Sequence, residues 1–483
     1  MKKTRNGGSF SLQIRHLTCF WYHAFVVEAM FVTRGSGNLM AEIRSFRGMR
    51  YNSEAIGDLS LVVAPPYDVI SDKQRDALYN KHPYNVIRLI LNRPKKSDSV
   101  SEQPYVRASE FLDRWLAQRI LIEDRIPGIY LYRQSYLFEG NYKECTGLVA
   151  RVKLEEFSKG GILPHEDIMP GPLSDRGALL EHTRANLSMV EALYSDTNEK
   201  LKGPILAEME RFALAQFQTP DGVAHDIWGV TDERFVNKIA LFLKKKTLYI
   251  ADGHHRYQTA LEYSMRKRES GEITSEDDPR NYLMMMIVEM ENPGLSMLPV
   301  HRVALGLPSV DIDLMLKGLE PWFNITDVEV PGGPRSGQVY QMIKRLEAVG
   351  EETHAFGAFV KGGKFFLFSW RSDRDVEKEI NGDHAASYKK LDVTVLQKIV
   401  MEKVLGMKHD RESVEAGMLF TRDPLEAVSL VDSGRGAVAF FLNATPVEQV
   451  RTVADQGEKM PQKSTYFYPK PCSGAVMNRI TNW

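Results

Sequence analysis

Between Leu248 and Leu261 the chain reads LYIADGHHRYQTAL, setting an aspartate, a glycine, two histidines and an arginine between an apolar run and a stretch with helical spacing. Leu248 to Ala251 suit a strand and Asp252-Gly253 a turn. Arg256 to Lys267 suit a helix whose apolar positions include Tyr257, Ala260, Leu261 and Met265. The N–H groups at such a helix start lack partners within the helix, and the dipole behind them favours an anion. Gly253 lets the backbone approach that anion closely, and Arg256 adds a planar, permanently charged fork suited to phosphate. The pattern therefore reads as a phosphate cradle of Gly253, His254, His255 and Arg256, with Asp252 and His254 as candidate catalytic groups. Two other readings compete with it. Asp252 could be an ordinary helix cap beside histidines that satisfy local hydrogen bonds, or the histidines could bind zinc. Adjacent histidines share no face of a helix or strand and lack the i, i+4 spacing of a zinc-binding HExxH, which weakens the metal reading.

A second stretch, LPHEDIMPGPLSDR from Leu163 to Arg176, gathers His165, Glu166, Asp167, Asp175 and Arg176 in what reads as a loop. Glu166 is the candidate general base, with His165 beside it, and Glu166 and Asp252 are the candidate Mg²⁺ ligands. Asp175 and Arg176 are candidate substrate ligands, and a bland solvated loop is the competing reading. In APPYDVIS the paired prolines hold Tyr67 and Asp68 in place, for a ligand or simply for a turn. Arg88 follows in what reads as a buried strand, Asn85 to Leu91, and a buried arginine there implies a carboxylate or a phosphate. Near the C-terminus MPQKSTYFYPKPCSG brings Lys463, Ser464, Thr465 and Lys470 among three aromatics, either to close over a ligand or as a solvent-touching strand. LPVHRV, Leu298 to Val303, adds a His-Arg pair whose plain reading is a surface turn.

Elements that could hold these groups follow from periodicity. Ser71 and the residues after it could start a helix, and Tyr105 to Ile122 spaces Ala108, Phe111, Leu112, Trp115 and Leu116 on one helical face. GIYLYRQSYLFEG and CTGLVARVKLEEF read as paired strands joined at Glu139-Gly140-Asn141. The stretch from Gly171 reads as a helix ending before a strand, and Asn281 to Met290 as a short buried strand. After about Pro299 come a helix, a strand, a hairpin turning at Gly362-Gly363, and an amphipathic helix from Leu391 that stops at Gly406. Interleaved strands and helices make the fold class mixed α/β.

At 483 residues the chain exceeds what one core usually supports, so two domains are expected, 40–299 and 300–483, after an extension at 1–39. The extension carries CFWYHAFVVEAMFV, of signal-core length but interrupted by His23 and Glu28, and reads as poorly ordered or as lying before the true start, with secretion as the minority reading. With 62 Lys+Arg against 63 Asp+Glu there is no global field to gather polyanions, which argues against a nucleic-acid partner. The separated cysteines Cys19, Cys145 and Cys472 suit a reducing cytoplasm and exclude a cysteine-built zinc site. No apolar run reaches membrane-spanning length.

IADGHHRYQTAL resembles the signature of the ParB/sulfiredoxin-like superfamily, and APPYDVIS, NVIRL, LPHE, ADGHHRY and MPQKSTYFYPKP, in that order, resemble the domain of unknown function family 1015. The resemblance implies a ParB/sulfiredoxin-like core with large insertions and a C-terminal α+β portion. In that superfamily the archaeal free-serine kinases use a similar turn for nucleotide phosphates and an upstream glutamate as base. The carry-over assigns the turn to Asp252 through Arg256 and the glutamate to Glu166. It implies a phosphotransferase that takes ATP, ADP or CTP and acts on a small hydroxylated metabolite, best matched by free serine or O-phosphoserine. A ParB-like nucleotide-binding protein associated with DNA and a nucleotide phosphohydrolase are the alternatives. No cysteine lies in the turn, which counts against sulfinic-acid repair.

Overall fold

Alternating side chains on the strand Leu248–Asp252 serve two cores at once. Leu248 and Ile250 enter one hydrophobic cluster, and Tyr249 and Ala251 enter another on the opposite face of the sheet. That strand lies in a nine-stranded mixed sheet of the computed structural model. Its members are β1 (Ile43–Arg44), β2 (Ile129–Phe138), β3 (Asn141–Lys153), β4 (Ile162–Leu163), β5 (Val190–Tyr194), β6 (Ala215–Gln218), β7 (Ala224–Val230), β8 (Leu248–Asp252) and β9 (Tyr282–Glu289). The structure describes residues 41–95, 98, 102–167, 170–305, 311–330, 332–407 and 417–481, without the side chains of 170–172. The expected extension at 1–39 lies outside them.

The strand order is β4–β8–β5–β9–β3–β2–β7–β6, with β1 on β3. β4 and β8 run parallel, as do β5 and β9, and the remaining pairs are antiparallel. The expected hairpin joins β2 to β3, with Glu139 and Gly140 both at positive φ, as a tight two-residue turn requires. The helices that matter for the site are α1 (Asp72–Lys81), α2 (Gln103–Ala117), α3 (Pro170–Thr183), α4 (Glu233–Leu243) and α5 (His254–Glu269). Tyr257, Ala260 and Leu261 of α5 pack with Phe235, Ile239 and Leu243 of α4 against the Leu248/Ile250 face. α1 starts at a capping box in which Ser71 and Gln74 satisfy each other's backbone.

A second, six-stranded antiparallel sheet follows: β10 (His301–Ala304), β11 (Phe323–Val328), β12 (Ala355–Val360), β13 (Lys364–Trp370), β14 (Met418–Thr421) and β15 (Val438–Phe441), in the order β11–β13–β12–β15–β10–β14. Its inner residues share one hydrophobic cluster with the Tyr249/Ala251 face of the first sheet. The mixed α/β class is thereby established. The chain then returns to the first sheet. Phe467–Tyr468 pair with Ser296–Met297, Asn478–Arg479 with Ala185–Asn186, and single bridges tie Met460, Ser473 and Met477 to Glu166, Ala64 and Met49.

Four local expectations are corrected. Asn85 to Leu91 is a buried helical turn, Ile87–Ile90, because the Asn85 side chain donates to Leu61 and Val63 carbonyls and accepts from Ile87 N–H, closing a turn a strand would not allow. Asp175 and Arg176 lie on helix α3, in agreement with the helix read from Gly171 and against the loop read over Leu163 to Arg176. His301 and Arg302 lie on β10 with 1% exposure each, so they are core residues and not a surface turn. The amphipathic helix from Leu391 is built as a short α-turn, Asp392–Val395, and a π-helix, Leu396–Val404, with Gly406 at φ 65° after it.

Candidate phosphate site

The turn at Gly253 is forced by two independent facts. Its φ is 93°, a region L side chains avoid, and a Cβ there would meet the Arg256 guanidinium at 2.9–3.0 Å. Glycine is also the cap residue of α5, with no side-chain cap, and the helix starts at His254, two residues before the expected Arg256. Asp252 therefore does not cap the helix. A register shift between Ile250 and Asp252 sets Asp252 opposite Glu191 of β5, on one face of the sheet.

From there the Asp252 carboxylate holds two cations. Oδ2 accepts from Arg256 Nη2, and Oδ1 accepts from Lys470 Nζ. The three side chains are 12%, 11% and 8% exposed, so this is an ion-paired cluster largely out of water. Burial opposes the Asp252 charge, yet Lys470 and then Arg256 outweigh it and hold the carboxyl well below the usual carboxylate range. Burial likewise opposes the Lys470 charge, and Asp252, followed by Asp68, overcomes it and raises the ammonium above its ordinary value. Lys470 rests 4.6 Å over the Tyr466 ring, while its carbonyl accepts from Gln134 Nε2 at 2.9 Å. Arg256 Nη1 also donates to the Met189 carbonyl.

Histidines wall the turn without carrying charge. His165 Nδ1 donates to the Ile250 carbonyl at 2.8 Å, which leaves Nε2 to accept the Thr465 hydroxyl at 2.8 Å. His254 Nε2 accepts from the His165 backbone N–H at 3.3 Å, and the two rings meet edge to face at 4.7 Å. Burial lowers the pKa of both; beyond it, His165 lowers His254 further, while Glu166 acts to raise His165. His255 is lowered by burial and by Lys463, against Glu166 and Asp68. These relations put Asp68, Glu166, Lys463 and His255 in one electrostatic neighbourhood with Asp252.

Glu166 Oε1 accepts the Ser464 backbone N–H at 3.2 Å and lies 3.8 Å from His165 Nε2. Behind it, Arg302 is pulled down to about 10 by burial, with Glu166 acting in the opposite sense. The Ser464 hydroxyl donates to the Pro461 carbonyl, and Lys463 is exposed at φ 55°. Tyr67 and Asp68 form a single 3-10 turn, with the Arg176 guanidinium 4.1 Å over the Tyr67 ring. Arg176 is held by Asp175, and Asp175 by Tyr105 at 2.5 Å.

One candidate is not brought to this place. Arg88 donates to the Tyr79 carbonyl at 2.7 Å and lies 4.4 Å over the Tyr79 ring, so a carbonyl and a ring replace the expected carboxylate or phosphate. Two groups that matter were outside the sequence-derived site: Lys470, in a stretch noted only as a possible cover, and Glu191. Glu191 is fully buried with both carboxylate oxygens unpartnered among the described residues, and burial pushes it up to about 8, with Lys470 acting against and Asp252 with that shift. Its one sequence signal is a carboxylate inside the apolar run SMVEALY.

Among the described residues no group of three or more His, Cys, Asp or Glu side chains is placed to hold a metal ion, and no helix is long and apolar enough to cross a membrane. Asp252, expected as a Mg²⁺ ligand, has each carboxylate oxygen on a cation instead.

No curated protein matches the chain. Among solved structures it is similar to a free serine kinase in complex with AMP (12% identity over 63% of this chain and 83% of that one, TM-score 0.31). A conserved hypothetical protein from Pyrococcus furiosus is similar at 13% identity over 66% of this chain and 92% of that one, TM-score 0.32. SbnI from Staphylococcus aureus, truncated at its C-terminus, is similar at 11% over 67% and 85%, TM-score 0.32. Residues 43–394, more than half of the chain, match one family throughout, and the chain belongs to that family, described as Protein of unknown function (DUF1015).

Proposed function

We propose that this chain transfers a phosphoryl group between a nucleotide and the hydroxyl of a small metabolite, with free serine or O-phosphoserine as the substrate. The observation that carries the reading is the pairing of Lys470 and Arg256 with Asp252 at the start of α5. Cations and helix N–H groups fixed in a site shielded from water stabilise the charge that develops on a phosphoryl group in transfer, without reorganising during the reaction. In the forward direction the acceptor oxygen attacks phosphorus and the bond to the nucleotide oxygen breaks. Glu166 takes the hydroxyl proton. In reverse it returns that proton, and O-phosphoserine yields serine.

His165 and His254, neutral and held by hydrogen bonds, position the turn and do not exchange protons in this scheme. Mg²⁺ at the site would take most of its ligands from phosphate oxygens and water, with Glu166 or Asp68 as the protein carboxylate. The phosphate-binding portion is assigned to residues 40–299 together with the returning stretch 460–480, of the ParB/sulfiredoxin-like kind that the turn resembles, working in the cytoplasm on soluble nucleotides.

The test is to incubate the purified chain with labelled ATP, ADP or CTP, with and without serine or phosphoserine. Product that forms only with the amino acid supports transfer. Nucleotide hydrolysis regardless of acceptor overturns it in favour of a phosphohydrolase, and a salt-dependent duplex-DNA shift without turnover favours the DNA-associated reading.

A further inference from the structure

Behind the charged cluster, on the side of α5 turned toward α3, lies a cavity of ≈ 60 Å³. Its wall includes Arg256 and Thr259 of α5, Arg176 of α3, Tyr67, Leu283 and Ala260. Two buried polar atoms of that wall, Arg256 Nε and the Thr259 hydroxyl oxygen, have no hydrogen-bond partner among the described residues. Thr259 is 5% exposed, so its hydroxyl is not satisfied by open solvent either. An orphaned donor beside a guanidinium, in an otherwise largely apolar pocket, is an expensive arrangement for a fold to keep unless a ligand completes it.

Chemistry and size restrict that ligand. Arg256 Nε–H and the Thr259 hydroxyl are unpartnered donors for an anion, beside the guanidinium of Arg176, which itself donates to Asp175 and the Ile90 carbonyl. Arg256 shares its Asp252 carboxylate with Lys470, while Arg176 is stacked on Tyr67 and held by Asp175, so both forks are fixed in place. A water needs roughly 10–15 Å³ of such volume, so the cavity holds on the order of five water-sized groups. That is room for a three-carbon acid and not for a nucleoside.

We infer that this cavity is a carboxylate subsite for the acceptor, admitting hydroxylated carboxylic acids of the three-carbon size and excluding their carboxylate-free counterparts. The inference rests on the phosphotransferase reading for the word acceptor, but the subsite itself stands on the cavity. Arg256 belongs to both sites. Its guanidinium lines the cavity while Nη2 holds Asp252, so an acid seated there lies beside the cradle.

Calorimetric titration of the full chain, without nucleotide, tests it. The probes are L-serine, D-glycerate and L-lactate, each against its carboxylate-free counterpart, serinol, glycerol and propane-1,2-diol. At least one acid is expected to bind, at least tenfold tighter than its counterpart, and Ala260→Leu, which fills the cavity, is expected to weaken that acid at least tenfold. If circular dichroism shows Ala260→Leu misfolded, Thr259→Val is read in its place, with a loss of at least threefold. Equal binding of acids and alcohols, no binding of any acid, or wild-type acid affinity in the folded variant overturns the subsite. ATP, ADP and CTP are titrated separately. Acid binding without binding of any of the three leaves the subsite and removes the phosphotransferase reading, whereas nucleotide binding without carboxylate discrimination does the reverse.

Discussion

Asp252 and Lys470 stand 218 positions apart in the chain and meet as an ion pair at the start of α5, with the Lys470 ammonium over the ring of Tyr466. Breaking such a pair leaves a buried charge without its partner, which costs roughly 3–5 kcal/mol. Lys470→Met is therefore expected to lower unfolding free energy by about that amount in urea titrations and to weaken nucleotide binding more than tenfold. A loss below about 1 kcal/mol, the range of surface pairs, would show that the pair is solvated in solution.

Gly253→Ala adds a methyl at φ 93° and 2.9–3.0 Å from the Arg256 guanidinium. The expected outcome is a destabilisation of about 1–3 kcal/mol together with loss of nucleotide binding, because Arg256 must move off Asp252. Gly57, also at positive φ but with nothing within 4 Å of a Cβ, gives the control: Gly57→Ala carries backbone strain alone and leaves nucleotide binding unchanged.

Glu166→Gln keeps the acceptor for the Ser464 N–H and removes the base. If Glu166 takes the hydroxyl proton, kcat falls by about 10²–10⁴ with nucleotide affinity within about threefold of the parent protein. Steady-state kinetics and a nucleotide titration on the same sample separate the two effects, and an unchanged kcat rejects Glu166 as base.

Stability is expected to depend on pH through Glu191. Its carboxyl in the folded chain is pushed up to about 8 against an ordinary 4.5, so between those values the unfolded chain releases a proton that the folded chain keeps. The contribution is fully present below pH 4.5, is lost progressively as pH rises, and levels off above about 8. Over that window it amounts to a few kcal/mol, on the order of one per pH unit. Asp252, held low, acts at the acid end, where its stabilisation disappears as pH falls below 3.8. Glu191→Gln should flatten the slope between pH 5 and 8 in urea titrations; an unaltered slope would mean that Glu191 is ionised in the folded chain.

Much of this was legible in residue spacing. The strand, glycine turn and helix around Asp252 follow from local periodicity and the φ freedom of Gly253, and the paired strands on either side of Gly140 follow from alternation and turn chemistry. Asn85 to Leu91 misled because a short apolar run has the same composition in a strand and in a buried helical turn, and the Asn85 side chain decides between them through carbonyls more than 20 positions earlier. For the same reason Lys470 could not be placed. Nothing local ties it to Asp252; the contact depends on the last stretch of chain returning across the first sheet. Glu191 was hidden by its neighbours, since a strand buried on both faces reads as uniformly apolar and its one polar member as noise.

That return has a consequence for synthesis. A nascent chain that has emerged only as far as residue 459 can pair the strands of the first sheet, yet it would hold Asp252 with Arg256 alone and Glu191 with no Lys470 nearby. The ammonium of the cradle comes 218 positions after its carboxylate, so the segment that supplies it also acts as a timer: the Asp252–Lys470 pair can form only once residue 470 has left the ribosome.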